Sequence, residues 1–354
     1  MVSTKRRSVT LKDVAQLAGV STGITSMALS GDPRVAAGTR EIVQRAAEKL
    51  DYIPNVFGSA LRGNRTGSIA VVIPQSSQHV FSHPYFMEIL RGITEVANAN
   101  NLTLILSTSS SNQEDAYMKI LRSRRADGVI VAAATIDDPN IGRLASSGYP
   151  VIFLGRDRHD QRVISVTVDD IGGAEQDASH LVDVHNLRRI AFVTGPLAHR
   201  SASDKLEGYR LALGRHDIPY DENLVRFGDY STESGARACR ELLDQGRKFD
   251  AIFAANDEMA IGTLRVLEEA GYRVPTDIAL VGYDDINLSG MIRPSLSTVH
   301  QPMEEVGRLA AIRLIEQLEG KTTEIRQIEL PTELVIRNSC GCGQASRSLL
   351  PRAE

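Results

Sequence analysis

The sequence predicts two unlike parts: a small all-α head over residues 1–51, and an α/β core of two doubly wound, parallel-sheet lobes over 67–340. A linker at 52–66 joins them. Three observations predict this. Between residues 10 and 50, apolar positions recur at three- and four-residue spacing, punctuated by capping residues and glycines, with no strand-like run. From residue 68 onward, continuous Val/Ile/Leu runs alternate with amphipathic stretches, the pattern of parallel strands covered on both faces. Charge is also divided. The 354 residues carry −4, yet residues 1–65 hold ten Lys and Arg against five acids, so a head of +5 precedes a body of −9. That profile suits a small nucleic-acid reader attached to something larger. So long a chain also exceeds a single compact core.

The head is spelled out in LKDVAQLAGVSTGITSMALSG, residues 11–31. Thr10 with Asp13 supplies an N-terminal cap and an acid in the first turn, and Leu11, Val14, Ala15 and Ala18 follow helical spacing. Gly19 makes the turn, Ser21 caps a second helix over 21–29, and Gly31, Asp32 and Pro33 end it. A third helix, about 38–50, is expected to bury Ile42, Ala46 and Leu50. Two short helices around a tight turn form a helix-turn-helix, whose second helix enters the DNA major groove. Residues 21–29 nevertheless lack Arg, Lys, Asn and Gln, the side chains that make bidentate contacts to guanine and adenine. The linker contains a short helical stretch, 55–62, that needs a surface or a symmetry mate to fold against.

In the core, strands are predicted at 69–74, 102–107, 128–134, 150–155, 189–195, 251–256 and 278–285. Helices are predicted near 85–100, 113–124, 172–185, 203–215, 233–246, 257–271 and 302–319. One sheet rarely takes so much chain, so two lobes with a ligand cleft between them fit better. Cys239, Cys340 and Cys342 are too few for a disulfide framework, and the C-G-C at 340–342 has no partner cluster at metal-ligand spacing. Free thiols, no metal and no cofactor are expected. Without an apolar leader or a spanning run, the expectation is a soluble, cytoplasmic protein away from membranes. No strand leads into G-x-G-x-x-G, and P-loop, G-x-S-x-G and triad patterns are missing, so no catalytic residues are assigned.

VTLKDVAQLAGVS, AGTREIVQRAAEKLDYIPN, HPYFMEILRGI, RIAFVTGP, EGYRLAL, AANDEMAIGTLRVLEEAGYRVPTDIALVGYDD, PSLSTV and LPTELVIRNSCG occur in that order across the chain. Each alone is weak; the ordered set is specific. It resembles the LacI/GalR-type (lactose-repressor) family of bacterial transcriptional regulators. The resemblance implies a helix-turn-helix, a hinge helix and a periplasmic-binding-protein-like core, with the chain crossing between lobes near 165, 295 and 325. It also implies a homodimer on palindromic, double-stranded operator DNA, with affinity set by a small-molecule effector such as a sugar or related metabolite. The 341–354 tail lacks apolar heptads, so a dimer is expected rather than a tetramer.

The DNA contacts implied begin with phosphates held by the helix ends at Thr10 and Ser21 and by Lys12 and Arg34. Hydroxyls of Thr22, Thr25 and Ser26 are expected to meet bases or backbone, and Met27 a thymine methyl. Here the chain departs from the family: Met27 stands at its usual Arg, Gly23 occupies a base-reading position without a side chain, and Ala36 replaces a capping Ser. In the hinge, Asn55 and Leu61 match the minor-groove segment in which paired leucines wedge a base step, while Gly58 stands where alanine is common. The operator is therefore expected to depend more on central-step bending, and less on guanine contacts, than is usual in the family.

For the effector, the resemblance points to Asn256 and Asp284 as hydroxyl partners. Tyr85 or Phe86, together with Tyr230, is expected to pack on a ring face, Arg156 and Lys205 to act as cationic donors, and His199, Ser201 and Gln301 to complete the set. Asp257 and Asp285 read as structural caps. Lys205 replaces the family's usual Arg, and Gly155 removes an acid found in some sugar-binding relatives. Three other readings compete: an α/β oxidoreductase, a secreted sugar-binding protein, and a DNA-binding regulator controlled by a protein co-effector.

Overall fold

The computed structural model describes residues 9–52, 65–110, 112–136, 138–156, 163–246, 248–321 and 325–342. The expected hinge helix, with Asn55, Gly58 and Leu61, lies outside the described residues, as does most of the expected tail. Two compact units divide the chain, residues 1–68 with 125–127, and the remainder.

The first unit contains α1 (Leu11–Ala18), α2 (Thr22–Leu29) and α3 (Ala37–Lys49). Thr10 starts α1 by donating from both its backbone N and Oγ1 to Asp13 Oδ2, at 2.8 and 2.6 Å. Ser21 Oγ accepts from the Ile24 N–H at 3.2 Å and starts α2, whereas Ala36 offers α3 no side-chain cap. Val14, Ala28, Val35, Val43, Ala46 and Ala47 form the small core. The expectation for α3 needs one correction. Ile42 is 48% exposed and Val43 fully buried, because Val43, Ala46 and Ala47 make the contiguous inward stripe.

The second unit has two sheets with helices on both faces. Lobe 1 holds β1 (Ser68–Ser76), α4 (Ser77–Ser82), α5 (Pro84–Ala99), β2 (Thr103–Ser109), α6 (Gln113–Ser123), β3 (Gly128–Ala132), α7 (Pro139–Ser146), β4 (Val151–Leu154) and β5 (Ile164–Val168). Lobe 2 holds α8 (Asp170–His185), β6 (Ile190–Thr194), α9 (Arg200–Arg215), β7 (Val225–Phe227), α10 (Thr232–Asp244), β8 (Ala251–Ala254), α11 (Asp257–Glu269), β9 (Ala279–Val281) and β10 (Thr298–His300). The chain then returns to lobe 1 as α12 (Met303–Leu318) and β11 (Gln327–Leu330), and ends in lobe 2 with β12 (Glu333–Val335).

Strand order is β11-β5-β4-β3-β1-β2 in lobe 1 and β7-β6-β8-β9 in lobe 2, with β10 and β12 antiparallel beside it. Parallel register aligns Val71, Ile130, Ile152 and Ile164 across four strands of lobe 1. In lobe 2 it aligns Val225, Phe192, Phe253 and Val281. These rows are buried, as expected for sheets covered on both faces. The chain crosses between lobes at about 169, 301 and 331, each time later than the sequence suggested. The reason is that each strand runs to its cleft end before the chain leaves the lobe. Although α12 follows lobe 2 in sequence, it packs on α5 of lobe 1. Gly92 and Gly307 leave no room for a Cβ at that crossing, so the two helix backbones touch.

Candidate functional site

In each lobe the carboxyl ends of the strands and the amino ends of the helices share one face, and the two faces meet around a cavity. Tyr85, Phe86, Arg156, His199, Ser201, Lys205, Tyr230, Asn256, Asp284 and Gln301 all line it. Arg156 follows β4, His199 and Ser201 follow β6, Tyr230 follows β7, Asn256 follows β8, Asp284 follows β9 and Gln301 follows β10. The amino ends of α5, α8, α9 and α11 also point here, which favours negative charge and lone pairs in the cleft. Ala133, Tyr230 and Asp284 line the cavity with φ of 54°, 72° and 108°. Side-chain-bearing residues tolerate that region at a cost of about 1–3 kcal/mol each, and such strain clusters at ligand sites.

Charge is concentrated at one point. Lys205, 3% exposed, donates from Nζ to the Ala255 carbonyl at 3.2 Å and lies 3.6 Å from Asp170 Oδ1 and 4.0 Å from Asp284 Oδ1. The same ammonium sits 3.9 Å from the centre of the Tyr283 ring. Burial pushes Asp170 up to about 6 and Asp284 up to about 8, while Lys205 pulls both the other way. Burial acts against the Lys205 ammonium too, but Asp170 and Asp284 outweigh it and hold its pKa above the ordinary value. One cation thus serves two carboxyls, and burial favours the protonated form of both, of Asp284 more than of Asp170. Gln301 Nε2 donates to Asp284, and among the described residues Asp170 Oδ1 and Arg156 Nε have no hydrogen-bond partner. Both orphaned atoms can be satisfied by a polar ligand.

Asn256 lines the cavity with two of its hydrogen-bonding positions already taken. Its Oδ1 accepts from the Met259 N–H at 2.9 Å, capping α11, and its Nδ2 donates to the Tyr230 carbonyl at 2.9 Å. It lines the cavity while holding strained Tyr230 in place. Asp257 is fully buried and accepts from Ser289 Oγ, Thr298 Oγ1 and the Ile286 N–H, so it is structural; Asp285 pairs with Arg337 at 2.6 Å.

Sequence reasoning missed a second polar cluster. His83, between α4 and α5, pairs through Nδ1 with the Glu258 carboxylate of lobe 2, and its Nε2 lies 3.2 Å from His79 Nδ1. Burial, with His83 next, pushes His79 down to about 4. The lobes also meet where the Ile136 N–H donates to the Ala198 carbonyl at 2.8 Å, and where Arg156 Nε lies 3.6 Å from Asp204 Oδ2. Arg156 pairs with Glu329 as well. His83 in HPYFMEILRGI and Glu258 in AANDEM were visible in the motifs, but nothing in one dimension brings them together.

On the head, Ser21, Thr22, Gly23 and Ile24 are exposed at the start of α2, with Lys12, Gln16 and Leu17 of α1 also exposed. Thr25 is a correction: it is fully buried, and its Oγ1 donates to the Ser21 carbonyl at 2.9 Å, so it cannot reach a base. Ser26 is half-buried, and Met27 packs on the head's core rather than projecting. Arg34 is exposed but paired, Nη2 lying 2.7 Å from Asp32 Oδ2, and a phosphate must displace that partner. Ile24 and Leu17 are exposed too, at 41% and 46%, although their apolar side chains suggested no DNA role in the sequence.

Residues 66–338 match the family described as periplasmic binding proteins and sugar binding domain of LacI family, and residues 10–55 match bacterial regulatory proteins, lacI family. The chain is 37% identical to the HTH-type transcriptional regulator CelR of Thermobifida fusca, over 95% of this chain and 99% of that protein. The structure of a CelR–cellobiose complex superposes with a TM-score of 0.74 at 36% identity, covering 94% and 99% of the two chains. A lac repressor dimer bound to operator and the anti-inducer ONPF superposes at 0.82 with 30% identity, over 94% and 99%. The chain belongs to the LacI family of bacterial regulatory proteins. It is therefore a DNA-binding transcriptional regulator and not an enzyme. No helix among the described residues is long and apolar enough to cross a membrane. Against the LacI-family pattern, Lys205 puts a compact ammonium where a planar guanidinium is usual, trading two-pronged hydrogen bonding for a point charge between two carboxyls.

Proposed function

We propose that this LacI-family regulator is a repressor that binds a palindromic operator as a homodimer. We further propose that a polyhydroxylated small molecule, a sugar or related metabolite held between the lobes, sets its DNA affinity. Residues 1–51 read DNA, 52–66 form the hinge with Asn55 and Leu61 in the minor groove, and 67–340 bind effector and partner. The observation that carries the reading is the buried Lys205–Asp170–Asp284 group in a cavity walled by Tyr85, Phe86, Phe153 and Tyr230. Pyranose rings present apolar faces to aromatic walls and hydroxyls to buried charges. The cellobiose bound to CelR and the operator bound to the lac repressor dimer support the same reading.

Arg156 and Lys205 donate to ligand oxygens, Asp284 receives hydroxyls, and Ser201, His199 and Gln301 flank them. On DNA, Thr10, Ser21, Lys12 and Arg34 hold phosphates, and Thr22, Ser26 and Ile24 face bases across the gap left by Gly23. The effector acts on the contacts that already join the lobes, His83–Glu258, Ile136–Ala198 and Arg156–Asp204. By favouring one lobe arrangement it shifts a population, for which coupling of about 1–3 kcal/mol changes DNA affinity roughly 5- to 150-fold.

Calorimetric titration of the full chain with monosaccharides, disaccharides, polyols and nucleosides, paired with selection of bound DNA from a random library, tests this. One sugar class should bind one molecule per chain and change affinity for a two-fold symmetric sequence. Operator binding with no heat from any small molecule replaces the effector with a protein partner. A monomer at operator saturation removes the dimer.

A further inference from the structure

The thiols of Cys340 and Cys342 lie beyond β12, away from the cleft. The fold gives the C-G-C a partner cluster that spacing alone did not reveal. Helix α8 begins in the cleft at Asp170 and ends about 24 Å away, at His185. There His180 and His185 face the C-G-C. Cys342 Sγ lies 3.5 Å from His180 Nε2 and 3.3 Å from His185 Nε2. One ligand atom from each of His180, His185, Cys340 and Cys342 falls within 4.8 Å of all the others. The two imidazoles meet edge to face at 5.2 Å.

We propose that His180, His185, Cys340 and Cys342 form a four-ligand site for a divalent transition metal of zinc's class. Tetrahedral zinc, with Zn–S about 2.3 Å and Zn–N about 2.0–2.1 Å, holds sulfur and nitrogen about 3.5 Å apart. The two separations here match within about 0.2 Å of that value. Each thiol gives its proton to solvent on binding, and two thiolates with two neutral imidazoles cancel the 2+ charge of the ion. That neutrality suits a site in which Cys340 and His180 are buried. Soft thiolates also disfavour magnesium and calcium.

The residue between the cysteines supports the geometry. Gly341 has φ of +112°, and a Cβ there would lie 3.2 Å from His185 Cε1. Only glycine lets the chain fold the C-G-C over the imidazole. Cys342 and His185 are partly exposed, which gives an ion a way in. Bound metal would clamp the segment after β12 to the last turns of α8, the helix whose first residue faces the effector cleft.

The test uses the untagged, reduced, full-length chain, stripped with chelator and titrated with Co2+ without oxygen. One equivalent should give the intense visible bands of tetrahedral cobalt and a thiolate-to-cobalt charge-transfer band, and Zn2+ should displace it. Zn2+ should also raise the melting temperature. Cys342→Ser and His185→Ala replace partly exposed groups; both should melt as the parent does without metal and lose the spectrum and the Zn2+ response. A weak, octahedral spectrum overturns the site, and so does a tetrahedral spectrum that survives in both variants. Loss of two titratable thiols to a Cys340–Cys342 disulfide, with no metal taken up after reduction, overturns it too.

Discussion

At the start of α2 the chain offers solvent Thr22, Gly23 and Ile24 and no charge, whereas the cleft buries one ammonium between two carboxyls. The two surfaces recognise by different physics. On the head, water satisfies whatever DNA does not, so discrimination rests on methyl contacts, hydroxyls and the shape of the duplex. In the cleft no water competes freely, and each charge depends on its neighbour. Substitutions should therefore be costly in the cleft and mild on the head.

Lys205→Met is the strongest way to break that contrast. It leaves Asp170 and Asp284 without their cation and should cost about 3–5 kcal/mol of core stability in urea denaturation. Adding Asp284→Asn should restore part of the loss. A cost below about 1 kcal/mol would mean that the cleft is solvated like the head. Asp284→Asn alone keeps the shape; titration calorimetry above about pH 8, where the carboxyl has lost its proton, should find the effector bound about 10- to 100-fold more weakly, the worth of a hydrogen bond to a charged group.

The pH dependence has a definite sign. Folded Asp284, at about 8 against an ordinary 3.8, keeps a proton that the unfolded chain has released. Unfolding free energy contributed here is therefore greatest below about 4 and is lost as pH rises toward 8. Asp170 and Asp257, both pushed up to about 6 chiefly by burial, add the same slope at lower pH. Buried Asp177, raised well above the ordinary value by burial and by Asp257, slopes the same way, so Asp284→Asn should reduce the slope between about pH 6 and 8 in urea midpoints without abolishing it.

The smallest effects belong to the head. Ser21→Ala removes the cap on Ile24 N and should cost about 1 kcal/mol. Gly23→Ala should stabilise by about 0.5–1 kcal/mol, since a Cβ there meets nothing nearer than Ser21 Oγ at 3.8 Å. Thermal melts of the two variants compare them directly. If Gly23→Ala also leaves the selected DNA sequence unchanged, reading at this position depends on duplex shape.

Strands with unbroken apolar runs, such as β1, β3 and β8, were legible because both faces are buried. β5 was not, since Ser165 and Thr167 interrupt its apolar residues while being buried themselves. β11 and β12 alternate with exposed Gln and Glu, and α7 has only eight residues, so none stood out. The face of α2 was illegible for another reason. Thr25 and Ala28 point inward and Ile24 outward, and no contrast of polarity marks the difference. In the cleft, groups following strand ends were named through their motifs, whereas Asp170, Asp204, His79, His83 and Glu258 gain meaning only when two lobes face each other. The cluster of His180 and His185 with the C-G-C depends on topology alone, joining segments some 160 residues apart.

The return of α12 and β11 to lobe 1 bears on how the chain is made. Lobe 2 is nearly continuous in sequence and can close while the ribosome is still elongating the chain. Lobe 1 starts earlier yet stays open until the helix that packs at Gly92 and the strand that pairs with β5 emerge, after all of lobe 2 except β12 and the segment that follows it. At about 5–20 residues per second, the apolar side of α5 around Ile89 and Ile93 waits roughly 10–50 s for its cover. During that interval the nascent protein is most open to chaperones and to its own neighbours on a polysome.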